Sequence, residues 1–186
     1  VPITLPLLLT LMRVAVIPVV LALFFVDWPY ARQIATVLYT LAGFTDWLDG
    51  HLARRWNQTS KFGAFLDPVA DKLLVTVCLV MLLQDAPSGV LAVIAAIIIG
   101  REITISALRE WMAELGQRTS VAVSRIGKWK TGFQMTAIGM MIWQMPLLGI
   151  PIYDIGYALL FVAAALTLWS MVAYLRAAWP ILRDGG

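Results

Sequence analysis

The sequence predicts an all-α integral membrane bundle of about six transmembrane helices, from an apolar composition, long apolar runs and short linkers with turn signals between them. Hydrophobic residues fill 61% of the 186 positions and charged residues 13%, with a mean hydropathy of +0.83. A soluble domain does not have that balance. A hydrocarbon core about 30 Å thick takes roughly 20 residues per helical crossing, so residues 1–186 are expected to form a single membrane-embedded domain with no soluble domain beside it. Membrane lipids are expected neighbours and no nucleic-acid partner is expected.

In chain order, helices are expected at about 4–26, 32–54, 64–84, 88–115, 128–145 and 153–176. The first run is interrupted by Arg13 but continues to Val26, and no small-residue cleavage site precedes Asp27. It therefore reads as a retained span rather than a signal peptide. A start at Val1 implies a short preceding piece. Asp27-Trp28-Pro29, Asp85-Ala86-Pro87-Ser88-Gly89 and the stretch from Met145-Pro146 to Pro151 break the helices on one side. Asn57 to Ser60 and the residues around Gly116 to Ser120 break them on the other. Cys78, the single cysteine, sits in an apolar run and reads as a small core residue.

Charge orients the bundle, because Lys and Arg are retained in the cytosol. Arg54, Arg55, Lys61, Lys72, Arg101, Arg109, Arg118, Arg125, Lys128 and Lys130 cluster at or near one side, with Arg176 and Arg183 at the C-terminus. The other side holds Arg32 among Asp27, Asp85 and Asp154. Both termini are therefore expected in the cytosol. Tryptophans near helix ends, such as Trp28, Trp56, Trp143 and Trp179, suit interfacial belts.

The chemistry concentrates in DWLDGHLARRWNQTSKFGAFLDPVADK, from Asp46 to Lys72. Four aspartates here lie among apolar helix ends, where an ionisable group is costly and signals function. Asp46 and Asp49 are spaced i, i+3 and Asp67 and Asp71 i, i+4, so each pair shares a helical face. Their mutual repulsion calls for divalent cations. Oxygen-only donors without useful His or Cys spacing point to Mg²⁺, with Mn²⁺ as a substitute, and the number of carboxylates suggests two ions clamping a displacement at phosphorus. Helix capping competes as an explanation: Asp67 precedes Pro68, which suits a first turn, and Asp46 and Asp49 have Arg54 and Arg55 nearby as ion-pair partners. Four acids on two faces with glycines between them exceed what capping needs. Gly50 and Gly63 leave room for a ligand against the backbone. His51 reads as an interfacial polar residue.

Asp46-x2-Asp49-Gly50-x2-Ala53-Arg54, eight residues, then Gly63-x3-Asp67-x3-Asp71 resembles, at every fixed position, the signature of the CDP-alcohol phosphatidyltransferase family. LLTLMRVAVIP, REITISALREWMAELG and SRIGKWKT extend the likeness over most of the chain, toward bacterial members that join CDP-diacylglycerol to sn-glycerol 3-phosphate. The resemblance implies a six-helix enzyme of the bacterial cytoplasmic (inner) membrane, usually a homodimer, with its active site facing the cytosol. It implies that Asp46, Asp49, Asp67 and Asp71 hold the metals and that Asp71 is also the general base. Asp49, Gly50, Ala53, Arg54 and Gly63 would receive the CDP-lipid. Where members often carry Asn beside the proline of the first helix, this chain reads Thr4-Leu5-Pro6-Leu7, which bears on the N-terminal edge of the nucleotide pocket.

A phosphorylated acceptor needs cationic donors. Glu102, Ser106 and Arg109 share one face of helix four, beside Arg101, and Arg118, Arg125, Lys128 and Lys130 follow. Arg109, Arg118, Arg125 and Lys128 are the candidates for the acceptor phosphate, with anionic lipid headgroups as competitors for the same cations. Gly139 and Ala163 to Ala165 would line a helix interface between two copies or pack within the bundle. Other acceptors, namely inositol phosphate, serine or phosphatidylglycerol, are the alternatives inside the family. Outside it stand an intramembrane prenyltransferase, whose motifs usually occupy separate loops of a larger bundle, and a cation transporter, whose site belongs near the midplane.

Overall fold

The computed structural model describes residues 5–56, 61–114 and 125–184, with side chains described in these segments except at 5–6, 46–56, 61, 64, 109, 113–114, 125–130, 177–178 and 180–184. Six α-helices account for nearly all of them: α1 (Leu5–Leu23), α2 (Ala31–Trp56), α3 (Lys61–Asp85), α4 (Gly89–Glu114), α5 (Arg125–Trp143) and α6 (Ile152–Asp184). Among the described residues the one β-type pairing is an isolated bridge, Leu147 with Ile150, in the turn between α5 and α6.

Apolar residues at helical spacing put a buried stripe on each helix, and the stripes meet in one ring. α1 packs on α2, α2 on α5, α5 on α6, α6 on α4, α4 on α3, and α3 back on α1, while α3 also touches α2 and α5 across the middle. The core therefore gathers Val20, Tyr39, Cys78, Leu79, Leu82, Ile98, Ile138, Met141 and Leu160, all buried. Cys78 is a core residue, as its apolar surroundings in the sequence imply. Outside the ring the surface is also apolar: Val93, Ile103, Phe44, Phe65 and Phe161 all stand exposed. Water does not suit so broad an apolar surface, and lipid does. Among the described residues, Gly89–Met112 and Ile152–Arg176 are long and apolar enough to cross a bilayer, and α1 contributes a shorter apolar stretch, Leu7–Leu23.

Close approach of backbones tightens the ring. A Cβ at Gly156 would come within 2.9 Å of the Ala137 carbonyl oxygen, so α6 meets α5 there almost backbone to backbone. Gly139 faces the Tyr39 ring and Thr40 of α2, and Ala163 and Ala164 are buried. These three small residues pack within the bundle; Ala165 alone of that group is exposed.

Several helix ends differ from expectation. α1 stops at Leu23 because the chain tightens there, with the Phe24 and Phe25 amides donating three residues back to Leu21 and Ala22. α5 starts at Arg125, and α6 runs on to Asp184, well past 176. α3 starts at Lys61, which places Asp67-Pro68 inside the helix and not at its first turn. Asp67 is therefore no helix cap. Pro68 has no N–H for the carbonyl of Ala64, so the hydrogen-bond ladder has a gap at the level of Asp67.

Candidate active site at the aspartate end

Asp67 and Asp71 lie one turn apart on α3, and α1 supplies a partner for each. The Thr10 hydroxyl donates to Asp67 Oδ1. Arg13 Nη1 donates to Asp71 Oδ1 at 2.7 Å and forms an ion pair with it. Thr10 and Arg13 are themselves spaced i, i+3, so they occupy one face of α1. Position numbers rise together on both sides of the two rungs, so α1 and α3 run side by side in the same sense.

Burial is unequal across the ion pair. The Arg13 side chain is 0% exposed, whereas that of Asp71 keeps 42% of its surface accessible. The cation is thus part of the wall and the carboxylate opens toward the site. A buried arginine on an apolar helix is expensive unless paired, and this one is held among packed residues where its fork has a fixed direction. Thr10, Arg13 and Asp71 make further interactions beyond these two rungs. Gly63 is buried one turn ahead of Asp67.

The remaining sequence candidates are placed by their backbones. Asp46, Asp49, Gly50, Ala53 and Arg54 occupy the last turns of α2, which packs against both α1 and α3. Their side chains lie outside the described set, as does that of Arg109 on α4. Arg125 and Lys128 open α5, again without described side chains, and Arg118 falls outside the described residues. Glu102 is occupied by Arg101, whose Nη1 donates to Glu102 Oε1 at 2.8 Å and whose guanidinium also lies 5.9 Å from the Tyr174 ring centroid. Arg101 is buried at the α4–α6 seam and ties those helices together.

Sequence reasoning missed the contacts of Thr10 and Arg13 with the aspartates, treating Arg13 only as an interruption of an apolar span. The signal was present: a polar pair one turn apart on an otherwise apolar helix.

Chemically, the arrangement offers hard oxygen donors on one helical face, partly open, with orientation imposed from a neighbouring helix. Such donors fit a divalent cation of the Mg²⁺ class. Comparison with known proteins agrees in extent. A model of the CDP-alcohol phosphatidyltransferase family matches residues 3–169. The chain is 52% identical over 179 residues to a protein of Salmonella choleraesuis (strain SC-B67) named CDP-diacylglycerol--glycerol-3-phosphate 3-phosphatidyltransferase, covering 96% of this chain and 97% of that one. It is 51% identical, with the same coverage, to similarly named proteins of Shigella flexneri serotype 5b (strain 8401) and Escherichia coli (strain K12).

Proposed function

This chain belongs to the CDP-alcohol phosphatidyltransferase family, and from that premise we propose that it transfers the phosphatidyl group of CDP-diacylglycerol to sn-glycerol 3-phosphate, giving phosphatidylglycerophosphate and CMP. The observation that carries the reading is the pair of carboxylates on α3, each oriented by a side chain of α1, in a chain whose relatives bear that activity in their names along 96% of its length.

Asp46, Asp49, Asp67 and Asp71 would hold two divalent cations, Mg²⁺ with Mn²⁺ as substitute. When bound there, such cations neutralise the diphosphate and the charge developing on departing CMP. Asp71 takes the proton from the acceptor hydroxyl as that oxygen attacks the phosphorus bearing diacylglycerol; the bond from that phosphorus to the CMP oxygen breaks. Arg13 holds the Asp71 carboxylate in direction while its second edge faces the site. Asp49, Gly50, Ala53 and Gly63 leave space for the cytidine end of the CDP-lipid, and Arg54 meets phosphate. Arg109, Arg118, Arg125 and Lys128 hold the phosphate of the acceptor by charged hydrogen bonds.

All six helices cross the bacterial cytoplasmic membrane in this reading. An even number of crossings returns both termini to one side, and the basic residues around the aspartate end make that side the cytosol. The parallel run of α1 and α3 supports it, since both helices would leave the cytosol in the same direction. The working unit is a homodimer.

The test is CMP release from CDP-diacylglycerol by the detergent-solubilised protein, with and without glycerol 3-phosphate, beside Asp71→Asn. Release should require the acceptor, fall by at least about a hundredfold in the variant, stop with EDTA and return with Mg²⁺. Turnover with a different alcohol but none with glycerol 3-phosphate would refute the acceptor; a folded protein inactive with every alcohol would refute the reaction.

A further inference from the structure

At the end of the bundle opposite the aspartates, Arg32 in the first turn of α2 and Asp85 at the end of α3 form an ion pair, Nη2 to Oδ2 at 2.6 Å. Each keeps 19% of its side-chain surface accessible, so water screens the pair less than it screens an ordinary surface contact. Neighbours fix both partners. Arg32 Nη2 also donates to the Phe24 carbonyl at 3.3 Å, and the guanidinium lies 4.0 Å from the Phe24 ring centroid. Asp85 Oδ2 accepts a second bond, from Gln144 Nε2 at 3.1 Å. Gln144, directly after α5, holds the left-handed backbone conformation, φ 61°, which a residue with a side chain rarely adopts and which persists only where its surroundings hold it. The chain just past α1, the start of α2 and the ends of α3 and α5 thus meet in one clasp.

α2 and α3 are consecutive and antiparallel, so the ion pair closes the open end of a helical hairpin. Among the described residues the two helices touch each other only sparsely, and their direct packing does little to fix how far one slides along the other. Distances along the chain give the clasp its meaning. Asp46 follows Arg32 by 14 residues, and Asp71 precedes Asp85 by 14. At 1.5 Å per residue, both lie about 21 Å from the clasp. Asp49 and Asp67 correspond in the same way, 17 and 18 residues from it. Neither stretch from the clasp to Asp46 or Asp71 contains a proline, and the ladder gap at Pro68 lies beyond Asp71. Tying Arg32 to Asp85 therefore brings the two acidic turns to one level, within about one helical turn. Mg²⁺ takes oxygen ligands at about 2.0–2.1 Å in near-ideal octahedral geometry, so a slide of even one residue, about 1.5 Å, is large on that scale.

We infer that Arg32 and Asp85 are positioning residues for the transfer reaction: their ion pair sets the axial register of α2 against α3 and so brings Asp46 and Asp49 level with Asp67 and Asp71. The inference rests on the proposed metal role of those four aspartates.

Spin labels on the full-length detergent-purified protein read the register without metal. Leu41→Cys and Leu73→Cys place them at exposed positions of α2 and α3, while buried Cys78 stays unlabelled. Arg32→Gln or Asp85→Asn should shift or broaden the distance between the labels by about 1.5 Å or more, the rise of one residue, and the double variant should go no further than either alone. In CMP release by the unlabelled variants, the Mg²⁺ concentration for half-maximal rate should rise about tenfold or more, with the rate at saturating Mg²⁺ largely restored. Arg32→Lys keeps the charge without the planar fork and should fall between Arg32→Gln and the wild type in both readouts. Gln144→Leu leaves the ion pair in place and should keep the wild-type distance. Folded variants with the wild-type distance would overturn the inference, as would lower melting temperatures with an unchanged Mg²⁺ requirement, which would leave the clasp to stability alone. A wild-type protein whose release ignores Mg²⁺ would refute the metal reading, while the label distances still decide the register.

Discussion

Arg13 and Asp71 lie 58 residues apart in sequence and meet at 2.7 Å across the seam between α1 and α3, the arginine wholly enclosed and the carboxylate partly open. In the proposed mechanism that inequality makes Arg13 a positioning group, shut away from solvent and acting through the carboxylate it holds.

Arg13→Lys keeps the charge but loses the planar fork, which is not a conservative change at a directional contact. The expected result is a fall of about 10- to 100-fold in kcat, with KM for both substrates altered less. Arg13→Met also removes the charge that compensates Asp71 and should destabilise the fold, by less than the roughly 3–5 kcal/mol of a fully buried broken pair because Asp71 remains partly hydrated. Steady-state CMP release and thermal melting separate the two effects. A lysine variant with unchanged kcat would remove Arg13 from the mechanism.

Thr10→Val preserves shape and deletes the hydroxyl that donates to Asp67. Partners of metal-ligating carboxylates typically govern affinity by about 10- to 100-fold. The Mg²⁺ concentration for half-maximal release should therefore rise by about tenfold, with the rate at saturating Mg²⁺ nearly restored. A titration that overlays the wild type would show that the hydroxyl serves packing alone.

Arg109→Gln, Arg118→Gln, Arg125→Gln and Lys128→Gln examine the acceptor side. Removing a charge-assisted contact to phosphate should raise KM for glycerol 3-phosphate about tenfold or more while KM for CDP-diacylglycerol stays within about twofold of the wild type. Equal increases for both substrates would assign that residue to the lipid surface.

Gly156→Ala and Gly139→Ala should differ although both lie at seams of α5, the first on α6 facing α5 and the second on α5 facing α2. At Gly156 the added methyl would meet the Ala137 carbonyl oxygen and Met140 Cβ, each at 2.9 Å, and backbone there has no slack. A loss of about 1–3 kcal/mol is expected. At Gly139 the nearest atom is 3.7 Å away, an ordinary contact, and the substitution should be tolerated. Melting temperatures in one detergent decide it, and equal losses would contradict the α5–α6 packing described.

Much of this was legible in the chain before any coordinates. Six apolar runs marked six helices because each must bury or present apolar surface over its whole length. Asp67 and Asp71 stood out because carboxylates among apolar helix ends are costly. The pairing of Arg13 with Asp71 was not legible, since spacing within α1 says nothing about which helix lies beside it. α3 begins at Lys61 where about 64 was expected, and it keeps Pro68 in its interior, which a helix in this setting tolerates. α6 was set too short for a different reason: bilayer thickness bounds a span, but nothing requires the helix Leu175-Arg176-Ala177-Ala178-Trp179 to stop at the membrane surface.

Biosynthesis meets the Thr10–Asp67 and Arg13–Asp71 rungs in a fixed order. α1 emerges from the ribosome first, with Arg13 inside its short apolar stretch and Asp71 not yet synthesised. In the proposed six-crossing arrangement, partitioning an arginine at the centre of α1 costs about 2.5–3.5 kcal/mol, so α1 would insert poorly on its own. It becomes settled once α3 arrives alongside in the same orientation and brings the carboxylates. A chain truncated before Asp67 would, in that proposed arrangement, leave Arg13 of α1 without the carboxylate it meets on α3.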